Sequence, residues 1–157
     1  KAKGVSAYLK SKTLAEQSAW EFINKQEGNQ LLELVTVNPG PIYGPTLSGN
    51  LNGESMGMYK QLISGKIPLL PRFAINMSDV RDVAAIHIAA LKNENANGKR
   101  FIVSSEKAHK AVEMAEILKA NGYSKVSTKL APNFLLRFMA KFNNDLKGML
   151  PVYWKYF

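Results

Sequence analysis

Residues 31–45 read LLELVTVNPGPIYGP, and this stretch decides the fold class of the chain. Its first part, residues 31–37, is almost entirely apolar or β-branched, which is typical of a parallel strand covered on both faces. Residues 6–25 repeat apolar side chains at spacings of three and four, which predicts a helix over these residues, with Gly28 and Asn29 as the stop signal that follows it. A helix that leads into a buried strand is half of a repeating α/β unit, so we predict an α/β fold.

The second part of that stretch, residues 38–45, is dense in proline and glycine. Proline lacks a backbone donor and both residues mark turns, so we predict a stiff, irregular loop where the strand ends. Residues 48–55 are polar and contain glycine, which indicates another loop. The elements predicted beyond it are a helix over 58–64, an extended piece or turn over 66–71, a helix opened by 78–82, a strand over 101–103, a helix over 107–121, a short strand over 126–130 and a last helix over 132–150.

The composition points to a globular protein and excludes several classes of site. The 157 residues are 46% hydrophobic and 21% charged, and none is a cysteine, which excludes disulfides and thiolate metal sites. No run of about 18 apolar residues occurs, so we expect no membrane span and a cytoplasmic location. The net charge is +9, but the lysines are scattered, which favours a solvated basic surface over a nucleic-acid site. No His, Asp and Glu cluster has metal-ligand spacing, so we expect no metal.

Tyr8 and Lys12 form the candidate catalytic pair. Their spacing of four puts both side chains on one face of the predicted helix. A nearby ammonium favours the phenolate and therefore lowers the pKa of a tyrosine toward the working range of a general acid or base. The same ammonium can donate hydrogen bonds to the hydroxyls of a ribose.

Three motifs, in order along the chain, carry a family resemblance. Residues 8–16, YLKSKTLAE, resemble the Y-x-x-S-K-x-x-A-E signature of the extended short-chain dehydrogenase/reductase family. Residues 37–45, VNPGPIYGP, resemble its V-N-P-x-x-v-x-G-P loop, and residues 79–87, DVRDVAAIH, resemble its D-V-R-D-V-A-x-x-H segment. Within that family the chain is most similar to dihydroflavonol-reductase-like and aldehyde-reductase-like members.

The resemblance implies a fold, an activity and a set of site residues. The fold is the C-terminal part of a Rossmann-like parallel sheet with a small C-terminal substrate-binding lobe. The activity is reduction of an aldehyde or ketone to an alcohol with NADP, or NAD, as cofactor. Tyr8 would donate the proton and Lys12 would hold the nicotinamide ribose, with Tyr8, Lys12, Pro39, Gly40, Pro41, Ile42 and Ser55 as the cofactor-binding residues.

The same resemblance divides the chain. Residues 1–45 correspond to the catalytic helix, the buried strand and the nicotinamide-side loop of an incomplete Rossmann domain. Residues 46–157 correspond mostly to the substrate lobe, with later Rossmann elements near 78–105. The family's glycine-rich pyrophosphate loop and its catalytic serine or threonine have no counterpart here, so we expect the second half of an enzyme. The alternative is a non-catalytic remnant of that fold that binds a small molecule or a partner.

The expected partners follow from this interpretation. They are a small carbonyl substrate, the missing N-terminal half of the same protein and a second copy of the chain, because a bare sheet edge and a bare apolar face favour association. The aromatic residues 151–157 should also cover an apolar surface. We expect no nucleic acid and no membrane as partners.

Other polar residues have structural interpretations. Asp79 and Asp82 should cap the helix that they open, since carboxylates favour a helix N-terminus. Arg81 lines a substrate site or pairs with an acid, and pairing is favoured. His87 should be a hydrogen-bonded core residue, and His109 should be exposed.

The absence of the pyrophosphate loop predicts that the purified 157-residue chain does not reduce carbonyl compounds. Phosphate capture at a helix N-terminus is a large part of how such cofactors are held, so NADPH should bind weakly as well. Absorbance at the NADPH band, followed with aldehyde and ketone substrates, measures this. Robust NADPH oxidation by the chain alone would contradict the expectation.

Overall fold

A computed structural model describes residues 7–28, 31–49, 53–139 and 141, apart from the side chains of residues 54, 55, 137 and 139. The helices are α1 (Ala7–Asn24), α2 (Glu54–Ile63), α3 (Val80–Lys92), α4 (Ala111–Ala120) and α5 (Asn133–Met139), with a short 3-10 turn at Glu94–Ala96. The strands are β1 (Thr36–Pro39), β2 (Ile42–Tyr43), β3 (Ala74–Ile75), β4 (Ser78–Asp79), β5 (Arg100–Val103) and β6 (His109–Lys110).

The strands of the described structure form two-stranded sheets. β1 and β5 are parallel, with Thr36 opposite Arg100 and Pro39 opposite Val103. β2 and β4 are also parallel, whereas β3 and β6 are antiparallel. Helix α3 lies between β4 and β5 in the chain and packs against β1, as in a crossover connection between parallel strands. Parallel pairs combined with helices confirm the predicted α/β class.

The buried core lies away from α1. One cluster joins α2 and α4 with the segments that follow them, and it consists of Leu62, Leu70, Ala115 and Val126. A neighbouring cluster consists of Phe73, Ala111 and Met114. By contrast, none of the side chains of α1 is buried in the described structure. Helix α1 is therefore attached to the sheet by polar contacts and partly buried side chains.

The main polar contact of α1 is made by Glu16. Its Oε1 accepts hydrogen bonds from Arg100 Nε at 2.6 Å and from Thr36 Oγ1 at 3.2 Å, and its Oε2 accepts from Arg100 Nη2 at 3.3 Å. Trp20 Nε1, one helical turn along, lies 3.5 Å from Oε1. The carboxylate thus ties α1 to β1 and β5 at once, and its side chain is only 19% exposed.

The predicted strand over residues 31–37 is wrong in its bounds. β1 begins at Thr36, and Leu31 and Leu32 are 57% and 63% exposed. Before Thr36 the contacts with the partner segment are irregular, because the Leu34 carbonyl accepts from the Gly98 N–H at 2.9 Å and the Leu34 N–H donates to the Asn97 side chain at 3.3 Å. The backbone N–H and C=O of Leu32 instead pair with the side chain of Gln26.

The prediction of a wholly irregular loop over residues 38–45 is also wrong. Asn38 and Pro39 complete β1, and Ile42 and Tyr43 form β2. Pro39 is tolerated because the N–H groups of Thr36 and Gly40 point to β5, so the nitrogen of Pro39 points away from that strand and no hydrogen bond of the pair is lost. The proline-rich segment therefore joins two short strands and does not leave the sheet.

Later elements follow the predictions with shifted boundaries. The predicted helix over 6–25 and the strand over 101–103 are confirmed as α1 and β5. The helix predicted over 58–64 begins earlier, at Glu54. The helices predicted from 78 and from 107 begin at Val80 and Ala111, since the residues before each form the short strands β4 and β6.

The end of the chain agrees less well. Of the strand predicted over 126–130, only Leu130 pairs, in a parallel bridge with Leu70. The last predicted helix is present as α5, and residues 142–157, including the aromatic ending, lie outside the described residues.

Large apolar side chains remain exposed on three neighbouring elements. They are Leu9, Leu14 and Phe22 on α1, Ile88 and Leu91 on α3, and Ile102 on β5, which is 72% exposed. Surfaces of this kind are typical of interfaces. The association with a missing half or a second copy of the chain stays a prediction. No helix in the described part of the chain is long and apolar enough to cross a membrane.

Replacing Glu16 by Gln should weaken the attachment of α1 to the sheet. The Arg100 guanidinium, through its hydrogen bonds, lowers the pKa of Glu16 below its ordinary value of 4.5. A lowered pKa in the folded state gives stability that is fully present above pH 4.5 and is lost as the pH falls through the folded-state value. Glu16→Gln should therefore lower the melting temperature at neutral pH, and the difference from the native protein should shrink below pH 4.5.

Glu21→Gln is the matched control, because Glu21 is exposed on the same helix. Melting followed by circular dichroism across the pH range measures both variants. Equal melting temperatures for the native protein and Glu16→Gln at neutral pH would contradict the role of this carboxylate.

Candidate active site

Two pairs of contacts define how α1 runs against β1. Gln26, just beyond the end of α1, is hydrogen-bonded to Leu32 before the strand, and Glu16 is hydrogen-bonded to Thr36. From Gln26 back to Glu16 a helix advances about 15 Å, at 1.5 Å per residue. From Leu32 to Thr36 an extended chain advances about 13 Å, at 3.3 Å per residue. The lengths match, so the helix runs antiparallel to the strand.

The same geometry directs the N-terminal half of α1 toward the carboxyl end of β1. One helical turn corresponds to about two strand residues, so from the Glu16–Thr36 contact we expect Lys12 near the height of Asn38 and Tyr8 near that of Gly40. The Lys12 Nζ lies 5.7 Å from the centre of the Tyr8 ring, so the two side chains share a helix face as predicted. Tyr8 is 66% exposed. The Tyr8 side chain is therefore accessible from solvent.

The segment after β1 is closely held at that end of the sheet. The Gly40 N–H donates to the Val103 carbonyl at 2.9 Å, and the Pro41 carbonyl accepts from the Ser78 N–H at 3.0 Å. A Cβ at position 40 would lie 2.9 Å from the Asn76 carbonyl oxygen, which explains why glycine occupies it. The predicted nicotinamide-side residues 39–42 thus form a rigid edge. Ser55 lies in α2, and its side chain is outside the described part of the chain.

Asn38 is a candidate site residue that sequence reasoning missed. Its Nδ2 is buried and has no hydrogen-bond partner among the described residues. Side chains alternate along a strand, so Asn38 lies on the same face as Thr36, which is the face toward α1. The available signal was an amide residue at the end of an otherwise apolar strand.

A cleft lies near the carboxyl end of β5. It has a volume of about 310 Å³, and the residues lining it are Tyr43, Tyr59, Met77, Ser78, Asp79, Asp82, Val103, Ser104, Ser105 and His109. Side chains alternate between the two faces of a strand, so Val103 lies on the face of β5 opposite to that of Arg100 and Ile102. Arg100 contacts Glu16 on α1, so the cleft lined by Val103 lies on the face away from α1. The Tyr43 and Tyr59 rings meet at 4.8 Å, and burial raises the pKa of both hydroxyls.

The charged residues that open α3 are structural. Asp79 accepts from the Arg81 backbone N–H at 2.8 Å, so its predicted capping role is confirmed. The Arg81 guanidinium lies 2.6 Å from Asp79 Oδ2, which confirms the favoured ion pair and lowers the pKa of Asp79 to about 2.

Two histidine predictions are wrong. His87 is exposed, and its Nδ1 is hydrogen-bonded to the Val83 carbonyl one turn back, which satisfies the ring without a core. His109 is half-buried because it belongs to β6 and faces the cleft. Within the described ranges, no group of three or more His, Asp or Glu residues is placed to hold a metal ion.

Known proteins resemble this chain over part of their length. The chain is 38% identical to cinnamoyl-CoA reductase CAD2 of Medicago truncatula over 96 residues, which are 61% of this chain and 28% of that protein. It is 33% identical to NADPH-dependent methylglyoxal reductase GRE2 of Saccharomyces cerevisiae over 105 residues, which are 64% of this chain and 31% of that protein. The chain spans about a third of the length of the curated relatives it matches.

Solved structures agree with these relatives. The structure of Gre2 from Candida albicans in complex with NADPH matches with a TM-score of 0.57 and 26% identity, over 76% of this chain and 36% of that one. No family model matches the chain. The predicted resemblance is nevertheless confirmed: the homologues of this chain are oxidoreductases of the extended short-chain dehydrogenase/reductase type, which it matches over part of their length.

Proposed function

We propose that the full-length protein carrying this chain is an NADPH-dependent reductase that converts an aldehyde or ketone to an alcohol. The observation that supports the proposal is that Tyr8 and Lys12 share one face of α1, the helix that Glu16 joins to β1 and β5 by hydrogen bonds. Ligands of open parallel sheets bind beyond the carboxyl ends of the strands. The NADPH dependence of the yeast relative and the NADPH complex of the Candida structure support the choice of cofactor.

The residues present fit the nicotinamide end of such a cofactor. Lys12 offers an exposed ammonium, which can donate to ribose hydroxyls. Asn38 offers a buried amide donor without a partner in the described structure, on the same side of β1. The edge formed by residues 39–42 is held by backbone hydrogen bonds to β4 and β5, so it can present a fixed surface to a planar ring.

The reaction needs a hydride and a proton, and NADPH when bound supplies the hydride to the carbonyl carbon. The Tyr8 hydroxyl donates the proton to the carbonyl oxygen as that oxygen gains negative charge, which gives the alcohol. The Lys12 ammonium, 5.7 Å from the Tyr8 ring, stabilises the phenolate that remains until solvent returns a proton. Lys12 therefore acts on both the cofactor and the acid.

The proposed substrates are aldehydes and ketones as a class. One relative is a cinnamoyl-CoA reductase and another is a methylglyoxal reductase, so similar chains act on different carbonyl compounds. The Tyr8 side chain is exposed, so its hydroxyl can donate to the oxygen of any carbonyl compound that reaches it.

In the full-length protein, Tyr8→Phe should lower kcat about 10²–10⁴-fold, the usual contribution of a general acid. Phenylalanine keeps the ring and removes only the hydroxyl, and the Tyr8 side chain is exposed, so the melting temperature should change little. Tyr123→Phe is the control, because Tyr123 is also exposed but lies beyond α4. Near-native kcat in Tyr8→Phe would refute the catalytic role and favour the non-catalytic binding alternative.

Lys12→Ala should weaken NADPH binding and also lower kcat, since the ammonium serves both steps. The comparison is Lys10→Ala, on the same helix but off the face shared by Tyr8 and Lys12. Calorimetric titration with NADPH and steady-state kinetics separate the two effects. An unchanged NADPH affinity in Lys12→Ala would remove the ribose-binding assignment.

A further inference from the structure

We propose that Asn38 is a further cofactor-binding residue, whose amide N–H donates to an oxygen at the nicotinamide-ribose end of the dinucleotide. The proposal rests on the proposed function and extends it to a residue outside the Tyr8 and Lys12 pair. Its starting point is the Nδ2 atom, which is buried and unpaired within the described structure.

A buried amide donor without a partner is rare in folded proteins, because water is lost without replacement. Each such group calls for an explanation, and an absent ligand is one of the few available. Other amides of this chain show the ordinary situation: Asn76 Nδ2 donates to the Ser105 carbonyl at 2.9 Å, and Asn121 Nδ2 donates to the Ile117 carbonyl at 2.8 Å.

The position of Asn38 indicates which ligand atom it meets. It shares a strand face with Thr36, whose hydroxyl contacts Glu16 on α1. From that contact, the rises of helix and strand put Asn38, two residues further along β1, near the height expected for Lys12, one turn before Glu16. The amide and the ammonium are therefore donors at the same height, on the two elements that face each other.

The chemistry of the two donors matches one kind of group. An ammonium and an amide N–H both donate hydrogen bonds, so the shared ligand must offer oxygen acceptors. Ribose hydroxyls and the carboxamide oxygen of a nicotinamide are such acceptors. A donor that held the carbonyl substrate instead would affect the KM of that substrate and not the Kd for NADPH, which separates the two cases.

The test compares Asn38→Leu with two matched variants of the full-length protein, Asn76→Leu and Asn121→Leu. Without NADPH, Asn38→Leu should have a melting temperature equal to or above that of the native protein, because leucine replaces an unpaired polar side chain with an apolar one of similar size. Asn76→Leu should melt lower, because it breaks an existing hydrogen bond. In calorimetric titration, the Kd for NADPH should rise about three- to tenfold in Asn38→Leu, the usual effect of one lost hydrogen bond, and should not change in Asn121→Leu.

Two results would overturn the proposal while leaving the proposed function intact. One is an NADPH affinity in Asn38→Leu equal to that of the native protein, including the case in which only the KM of the carbonyl substrate changes. The other is a melting temperature without NADPH that falls as far as in Asn76→Leu, which would show a structural amide. If the native full-length protein neither bound NADPH nor reduced a carbonyl, the proposed function would fail and the assignment of Asn38 with it.

Discussion

The rest of the structure around the candidate site depends on one carboxylate, that of Glu16. Helix α1 has no buried side chain in the described structure, so apolar packing alone does not fix its position. Glu16 contacts Thr36 on β1 and Arg100 on β5, and both strands are thereby held against the same point of the helix. Because helix and strand advance by fixed rises, that single point sets the height of every residue on α1 relative to the sheet.

The candidate site combines closely packed segments with exposed side chains. On the fixed side, the clusters around Ala115 and Met114 hold α2 and α4 together, and backbone hydrogen bonds hold residues 39–42 against β4 and β5. On the open side, α1 exposes Tyr8 and β5 exposes Ile102. The proposed reaction needs a fixed surface for the cofactor and an accessible proton donor. Residues 39–42 provide the first and Tyr8 on α1 provides the second.

The sequence predicts the local features of this arrangement and misses the non-local ones. The periodicity of residues 6–25 predicts α1, and the spacing of Tyr8 and Lys12 predicts their shared face, because both depend only on helical geometry. The start of β1 depends on where β5 provides backbone hydrogen-bond partners, so the apolar character of Leu31 and Leu32 wrongly predicts that they belong to the strand. The cleft that includes His109 is formed by segments far apart in the sequence, and the burial of the Asn38 amide also depends on how such segments pack. No local sequence pattern contains this information.

The most direct measurement of the central claim is a crystal structure of the full-length protein with NADPH bound. The nicotinamide should lie on the α1 side of β1, against residues 39–42. A carbonyl substrate whose carbon lies over the nicotinamide ring should have its oxygen within about 2.6–3.2 Å of the Tyr8 hydroxyl. A nicotinamide on the opposite face of the sheet, in the cleft lined by Tyr43 and His109, would contradict the claim that the Glu16 contacts place the catalytic pair.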